Sequence, residues 1–123
     1  MASTTNITNE SEFKELLNQN IAIVYLLVEW SGPERISRKL MFEEFNKWDN
    51  DQIPIFIIDC SEQKNRYVEE WLSKQKENKS DFYSGGYGET ILIKKGIVID
   101  SIKFPGQQNS QSLGEKIQSW KNN

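Results

Sequence analysis

The sequence contains no histidine and a single cysteine, Cys60. Without histidine the chain cannot carry out Ser-His-Asp or Cys-His catalysis on its own. Zinc sites of the Cys/His type are excluded for a monomer, and one cysteine cannot close an intramolecular disulfide. Acid–base chemistry is left to Asp, Glu, Lys, Tyr and Cys60. There is no excess of basic residues: the net charge of −3 provides no footprint for nucleic acid and no strong steering field. No apolar run approaches the ~20 residues of a membrane span. Met1 to Asn20 lacks the charged start and apolar middle of an export signal. The expected location is therefore the cytoplasm, and the glycosylation pattern Asn6-Ile7-Thr8 is discounted. No repeat, low-complexity tract or linker interrupts the chain.

Hydrophobic residues make up 37% and charged residues 27% of the chain, the balance of a soluble globular protein. A length of 123 residues suits one domain, expected over 1–123 with an ordered core over 5–122. Such a chain buries roughly two-thirds of the surface its unfolded form exposes.

The first elements are an edge strand around Thr5 to Thr8 and a helix ending near Asn18. Asn9 is its expected N-cap and Glu12 the capping-box partner. Ile21 to Glu29 is nearly all apolar, β-branched or aromatic, which suits a strand covered on both faces. A helix is predicted from Pro33 to Asp49, with Ile36, Leu40, Met41, Phe45 and Trp48 forming one stripe. A strand over Ile53 to Asp59 completes a βαβ unit. Gln63 to Asn78 reads as a helix with Tyr67, Val68, Trp71 and Leu72 on one face. Asp81 to Gly88 is an aromatic, glycine-rich loop. Thr90–Lys94 and Ile97–Phe104 form a hairpin across Lys95-Gly96. Gln111 to Trp120 closes the chain as a helix with Leu113, Ile117 and Trp120 inward. The fold class is α/β, a central mixed sheet with helices on both faces.

Directly after the first apolar strand stands Glu29-Trp30-Ser31-Gly32-Pro33-Glu34. This motif resembles the thioredoxin active site, W-C-G-P-C, with both cysteines replaced. The resemblance covers roughly Ile7 to Trp120 and rests on Trp30, Gly32-Pro33, the Lys95-Gly96 turn and the order of elements. It implies the thioredoxin fold. It does not carry over the activity, because every supporting group is changed. Ser31 takes the place of the nucleophilic thiolate, which a helix N-terminus would activate. Glu34 takes that of the cysteine that resolves the mixed disulfide. Tyr25 stands where the family places a buried aspartate and Ile55 where it places a lysine. Glu89, ahead of Thr90, stands at the position of the cis-proline beside the groove in which substrate backbone pairs. A cis bond before a non-proline residue costs about 3 kcal/mol, so a trans loop and a reshaped groove are expected. Disulfide exchange is expected to be lost.

Ser31-x-x-Glu34 also fits a capping box, with the serine accepting from the Glu34 N–H and the glutamate from the Ser31 N–H. A serine nucleophile, or a serine that activates glutathione, would need an adjacent base, and glutathione binding in related folds leans on the cis-proline. Cys60 follows a strand parallel to Ile21–Glu29 and so falls on the ligand-bearing edge of the sheet. It is either an inert, partly buried thiol or a regulatory one, which would need exposure and a lowered pKa. Ser84-Gly85-Gly86-Tyr87-Gly88 lacks the lysine and helix of a phosphate loop; Tyr83 and Tyr87 suit a contact surface instead. Asp49-Asn50-Asp51 lacks the glycine and glutamate of a calcium loop.

The leading expectation is a redox-inactive, thioredoxin-like interaction or assembly module, not an enzyme, with no cofactor and no metal. Its partner is expected to be a protein or peptide, not nucleic acid or a membrane. The expected binding residues are Trp30, Ser31, Gly32, Pro33 and Glu34 from the motif and Tyr87, Gly88, Glu89 and Thr90 from the opposing loop. The alternatives are a thiol-based redox or regulatory protein using Cys60, glutathione-type binding at Ser31, and a homo-oligomer built on the Gln63–Asn78 helix.

Overall fold

Runs of β-branched residues build the middle of a five-stranded sheet with strand order β1-β3-β2-β4-β5. The strands are β1 (Thr4–Ile7), β2 (Ile21–Leu27), β3 (Ile55–Asp59), β4 (Thr90–Lys94) and β5 (Ile97–Ile102). The helices are α1 (Glu10–Leu16), α2 (Gly32–Phe45), α3 (Tyr67–Ser73) and α4 (Ser110–Trp120). This computed structural model describes residues 4–47, 53–75 and 86–121. Trp48, Asp49 to Asp51, residues 76–78 and residues 81–85, all named above, lie outside them.

Strand β2 is central, parallel to β3 and antiparallel to β4. Both of its faces are covered, which is why it is apolar at every position. Ala22, Val24 and Leu26 join Phe13 and Leu16 of α1 and Val68 and Leu72 of α3 in one core layer. Ile23 and Tyr25 join Met41 and Phe45 of α2 and Leu113, Ile117 and Trp120 of α4 in the other. Phe13 packs edge-on against Trp71 at 5.3 Å between ring centres. Lys95 and Gly96, at φ 52° and 80°, give the β4–β5 hairpin the turn whose twist matches the strands. The Asp100 carboxylate of β5 accepts from the Trp120 indole at 2.9 Å and meets Lys116 at 2.8 Å, which fixes α4 to the sheet.

Several boundaries differ from expectation, for visible reasons. The Glu12 carboxylate reaches past Asn9 and accepts from the Thr8 N–H and hydroxyl, each at 2.7 Å, while Asn9 caps the Glu12 N–H at 2.9 Å. Helix α2 stops at Phe45 with Asn46 as its C-cap, and β3 begins at Ile55, after Pro54. Strand β5 ends at Ile102, before a 3-10 turn at Pro105–Gln107. The helix expected over Gln63–Asn78 starts as a 3-10 turn at Gln63–Asn65. The buried Asn65 amide donates to the Asp59 carbonyl at 3.1 Å and pulls the chain tightly back to β3. Helix α3 then ends at Ser73, and the Gln75 side chain instead accepts from Val98 N–H at 3.3 Å. Ile36, expected on the buried stripe of α2, is 59% exposed. The core side of α2 runs through Glu34, Met41 and Phe45, a face rotated away from Ile36. Among the described residues, no helix is long and apolar enough to cross a membrane.

Candidate functional site

The motif residues lie where β2 hands over to α2. Ser31 caps the helix in an extended conformation, its Oγ accepting from the Glu34 N–H at 3.3 Å. Pro33 follows in the first turn, where a missing N–H costs nothing. The reciprocal half of the capping box does not form. The Ser31 N–H donates to the Val28 carbonyl at 3.1 Å, and the Glu34 side chain turns into the protein.

Glu34 is fully buried. Its carboxylate accepts the Tyr25 hydroxyl at 2.5 Å and the Arg38 Nε at 3.0 Å, with a second, close contact to Arg38 Nη2. A buried carboxylate is tolerated only when its charge is paired and its oxygens are hydrogen-bonded, and Tyr25 and Arg38 supply both. Burial and the Glu34 carboxylate push the Tyr25 phenol upward, so it stays a donor; the same carboxylate raises the Arg38 guanidinium. The position that the resemblance assigns to a resolving cysteine thus holds half of an internal ion pair.

The opposing loop is tied to α2 and to its own strand by its carbonyls. Gly86 accepts from the Ser31 hydroxyl, Tyr87 from Ser37 at 2.6 Å, Gly88 from Thr90 at 3.1 Å, and Glu89 from the Leu26 N–H at 3.0 Å. The Glu89 side chain, also fully buried, accepts from the Tyr87 N–H at 3.2 Å. All peptide bonds of the described residues are trans, Glu89 included. Ser37 works in two directions, since its Oγ also accepts from the Gly106 N–H at 2.9 Å. It links α2 to the loops before β4 and after β5.

Outside this bonded layer lies an exposed one. Trp30 is 74% exposed, and its ring edge comes within 4.0 Å of where a Cβ on Gly86 would stand. Beside it opens a cleft of about 220 Å³ between Pro33, Ile36, Tyr87, Phe104 and Gly106, with Ser37 at its floor. Tyr87 and Phe104 meet edge to face at 5.0 Å. A second cavity, about 300 Å³, lies toward β1 and β3, where Ile7, Leu27 and Ile57 line it together with polar and charged residues such as Glu29, Asp59 and Glu62. Glu62 is paired with Lys64 at 3.2 Å and Asp59 with Ser61 at its backbone N–H, 3.0 Å.

Cys60 sits after β3, its N–H bonded to the Leu27 carbonyl at 2.8 Å, so it does share the edge with the motif. It is only half-buried as a residue, yet it packs against the core layer of α1 and α3. Burial pushes its thiol well above the ordinary value, and Glu69, Glu89 and Asp59 push the same way. A reactive thiolate needs the opposite surroundings.

The expected binding residues therefore divide. Trp30, Gly32 and Pro33 are exposed and Tyr87 is half-buried; Ser31, Glu34, Gly88, Glu89 and Thr90 are buried beneath them. Ile36, Ser37, Phe104 and Gly106 escaped the sequence reading. Helical spacing predicts Ile36 for the core, Ser37 is a polar position on the buried side of α2 itself, and Phe104 and Gly106 reach the site only because the turn after β5 packs on α2. Ser31→Ala should lower stability by about 1–2 kcal/mol, through the lost cap and a buried Gly86 carbonyl left without its hydroxyl. Urea unfolding would measure this; no change would mean water replaces the serine.

No family model and no curated protein matches the sequence. Solved structures do. The thioredoxin of Malassezia sympodialis is 14% identical, covering 98% of this chain and 93% of that one at a TM-score of 0.73. The Schistosoma mansoni thioredoxin pre-protein, reduced, is 15% identical over 97% and 99% of the two chains, TM-score 0.68. The oxidised thioredoxin of Plasmodium falciparum is 19% identical over 97% and 99%, TM-score 0.66. Together with the β1-β3-β2-β4-β5 order and the placement of the Trp30–Glu34 turn at the head of α2, this likeness means that the chain has the thioredoxin fold.

Proposed function

We propose that this chain is a protein-interaction or assembly module that no longer exchanges disulfides and that binds a protein partner through the edge around Trp30. One observation carries the reading: an exposed tryptophan stands directly beside a Ser31 and a Glu34 that are buried and bonded to the chain's own groups. Exposed tryptophan is a favoured interface anchor, and the groups beneath it have no free nucleophile to offer. A serine nucleophile would require a base, and the Glu34 carboxylate at the head of the same helix is committed to Arg38 and Tyr25. The reading built on Cys60 has burial against it. The self-association reading has lost its long helix, since Val68 and Leu72 of the short α3 face their own core.

The test is affinity capture from source lysate with mass spectrometry, comparing wild type with Trp30→Asp. A partner held by wild type and lost by the variant, with unchanged melting, is the expected result. A partner held equally by both would move the site elsewhere, and no partner at all would return weight to Cys60 or to self-association. The redox half of the proposal has its own test. Ser31→Cys with Glu34→Cys should reduce insulin feebly at best, because Tyr25 and Ile55 restore neither the carboxylate nor the lysine that manage protons in the resemblance. Efficient reduction would overturn it.

A further inference from the structure

Strand β5 ends one side of the sheet, and among the described residues no strand lies beyond it. An edge strand offers unpaired N–H and C=O groups to any strand that comes alongside. Backbone groups alternate between the two sides of a strand. The Glu89 carbonyl bonds to Leu26 of β2, so Ile91 and Ile93 also face β2, while Thr90, Leu92 and Lys94 face β5. Ile91 lies opposite Ser101 and Ile93 opposite Val98, and Ile99 is an extra residue with no partner on β4. Val98 and Ser101 therefore turn their main-chain groups away from the sheet.

Both of these outward N–H groups are held by side chains of the same molecule. The Gln75 Oε1 accepts from Val98 at 3.3 Å, and the Asp100 Oδ1 accepts from Ser101 at 2.8 Å. Asp100 is fixed in place, since its other oxygen meets the Trp120 indole and Lys116 of α4. Gln75 is anchored at the end of α3 by its own N–H, which donates to the Leu72 carbonyl at 3.2 Å. It reaches Val98 from another element and on the longer bond, so it is the exchangeable member of the two. The bulge at Ile99 adds local twist. Two side chains on this edge are nevertheless apolar and open to solvent: Ile97 is 61% and Ile99 42% exposed. They flank Val98 at equal spacing and share one face of the strand.

Equal spacing about one residue suits pairing with an identical strand. Two copies of β5, set antiparallel about a two-fold axis at Val98, would exchange the Val98 N–H and C=O with each other. The same register places Ile97 of each copy directly opposite Ile99 of the other. Cross-strand pairs of β-branched residues are what stabilises a sheet. The donor at the centre of that pairing is the one that Gln75 occupies.

We propose that Gln75 is a guard on the β5 edge, which holds the Val98 N–H and so keeps two copies of this chain from joining their sheets through β5. The inference is independent of the reading of the Trp30 edge. A two-fold pair has to displace the guard in both copies. A hydrogen bond of ordinary net strength thus enters twice and weakens association by about tenfold or more.

The test is sedimentation velocity of the full chain over a concentration series, combined with amide hydrogen exchange at Val98. Gln75→Ala should dimerise about tenfold or more tightly than wild type, and adding Ile97→Lys should abolish that gain. Gln75→Glu keeps an acceptor at the same reach and should sediment like wild type. In dilute Gln75→Ala the Val98 amide should exchange about tenfold faster than in wild type, and slow again as dimer forms. If Gln75→Ala melts well below wild type, Gln75→Asn takes its place, since its amide falls one methylene short of Val98. No gain in association, a gain that survives Ile97→Lys, equal association of Gln75→Glu and Gln75→Ala, or Val98 exchange indifferent to the substitution would each overturn the proposal.

Discussion

Arg38→Met should destabilise the protein by about 3 kcal/mol. The substitution leaves the fully buried Glu34 with a phenol as its one remaining side-chain donor, and removing one member of a buried pair costs about 3–5 kcal/mol. The lower end applies because the Arg38 side chain is 28% exposed, so solvent reaches the site. The pair itself is not the source of stability; the penalty comes from the orphaned charge. Arg38→Met combined with Glu34→Gln should therefore recover most of the loss and lie within about 1.5 kcal/mol of wild type, with the amide oxygen still accepting from Tyr25. Urea unfolding of the four members of the cycle measures this, provided the slope with denaturant stays constant. A loss below about 1 kcal/mol for Arg38→Met would put the contact among ordinary surface ion pairs.

Gly88→Ala should cost a similar amount, about 3 kcal/mol, for a different reason. Gly88 has φ +71°, and an added Cβ would stand 2.5 Å from the Ser37 Cβ and 2.6 Å from the Tyr25 hydroxyl oxygen. The left-handed backbone contributes about 1–2 kcal/mol and overpacking about 1–3 kcal/mol. Neither neighbour can step aside: Ser37 is bonded to Tyr87 and Gly106, and Tyr25 to Glu34. Gly86→Ala is the natural comparison. Its φ is +83°, but the nearest atom to a new Cβ is the Ser31 Oγ at 3.3 Å, so it should lose only the backbone contribution, about 1–2 kcal/mol. Equal losses in the two variants would show that the loop yields freely and that its hydroxyl ties are weak.

Much of the fold was legible because the strands and helices follow simple periods. The two-sided burial of β2 shows in its unbroken apolar run, the hairpin in Lys95-Gly96, α1 in its capping Asn9, and α4 in its spaced apolar face. The errors gather where a polar side chain chooses among partners. Ser-x-x-Glu reads as a capping box, and Ser31 does cap. Glu34, however, has Tyr25 and Arg38 within reach, and a buried charge goes to the partners that neutralise it before it goes to a backbone N–H. That choice turns the face of α2 and sends Ile36 outward, against its apolar character. Asn65 likewise converts the start of an expected long helix into a 3-10 turn by bonding to β3.

By itself, then, the sequence determined the α/β order of elements, the strand that must lie at the centre, and the absence of the cysteines and histidine on which disulfide exchange and triad chemistry depend. These follow from residue types and local period alone. The tertiary structure decided which face of α2 is buried, how the Gly86–Glu89 carbonyls are satisfied, and that an exposed Trp30 stands beside a cleft framed by Ile36 and Phe104. Those features join residues far apart in the chain, through hydrogen bonds and burial that exist only once β2, α2 and β5 have come together.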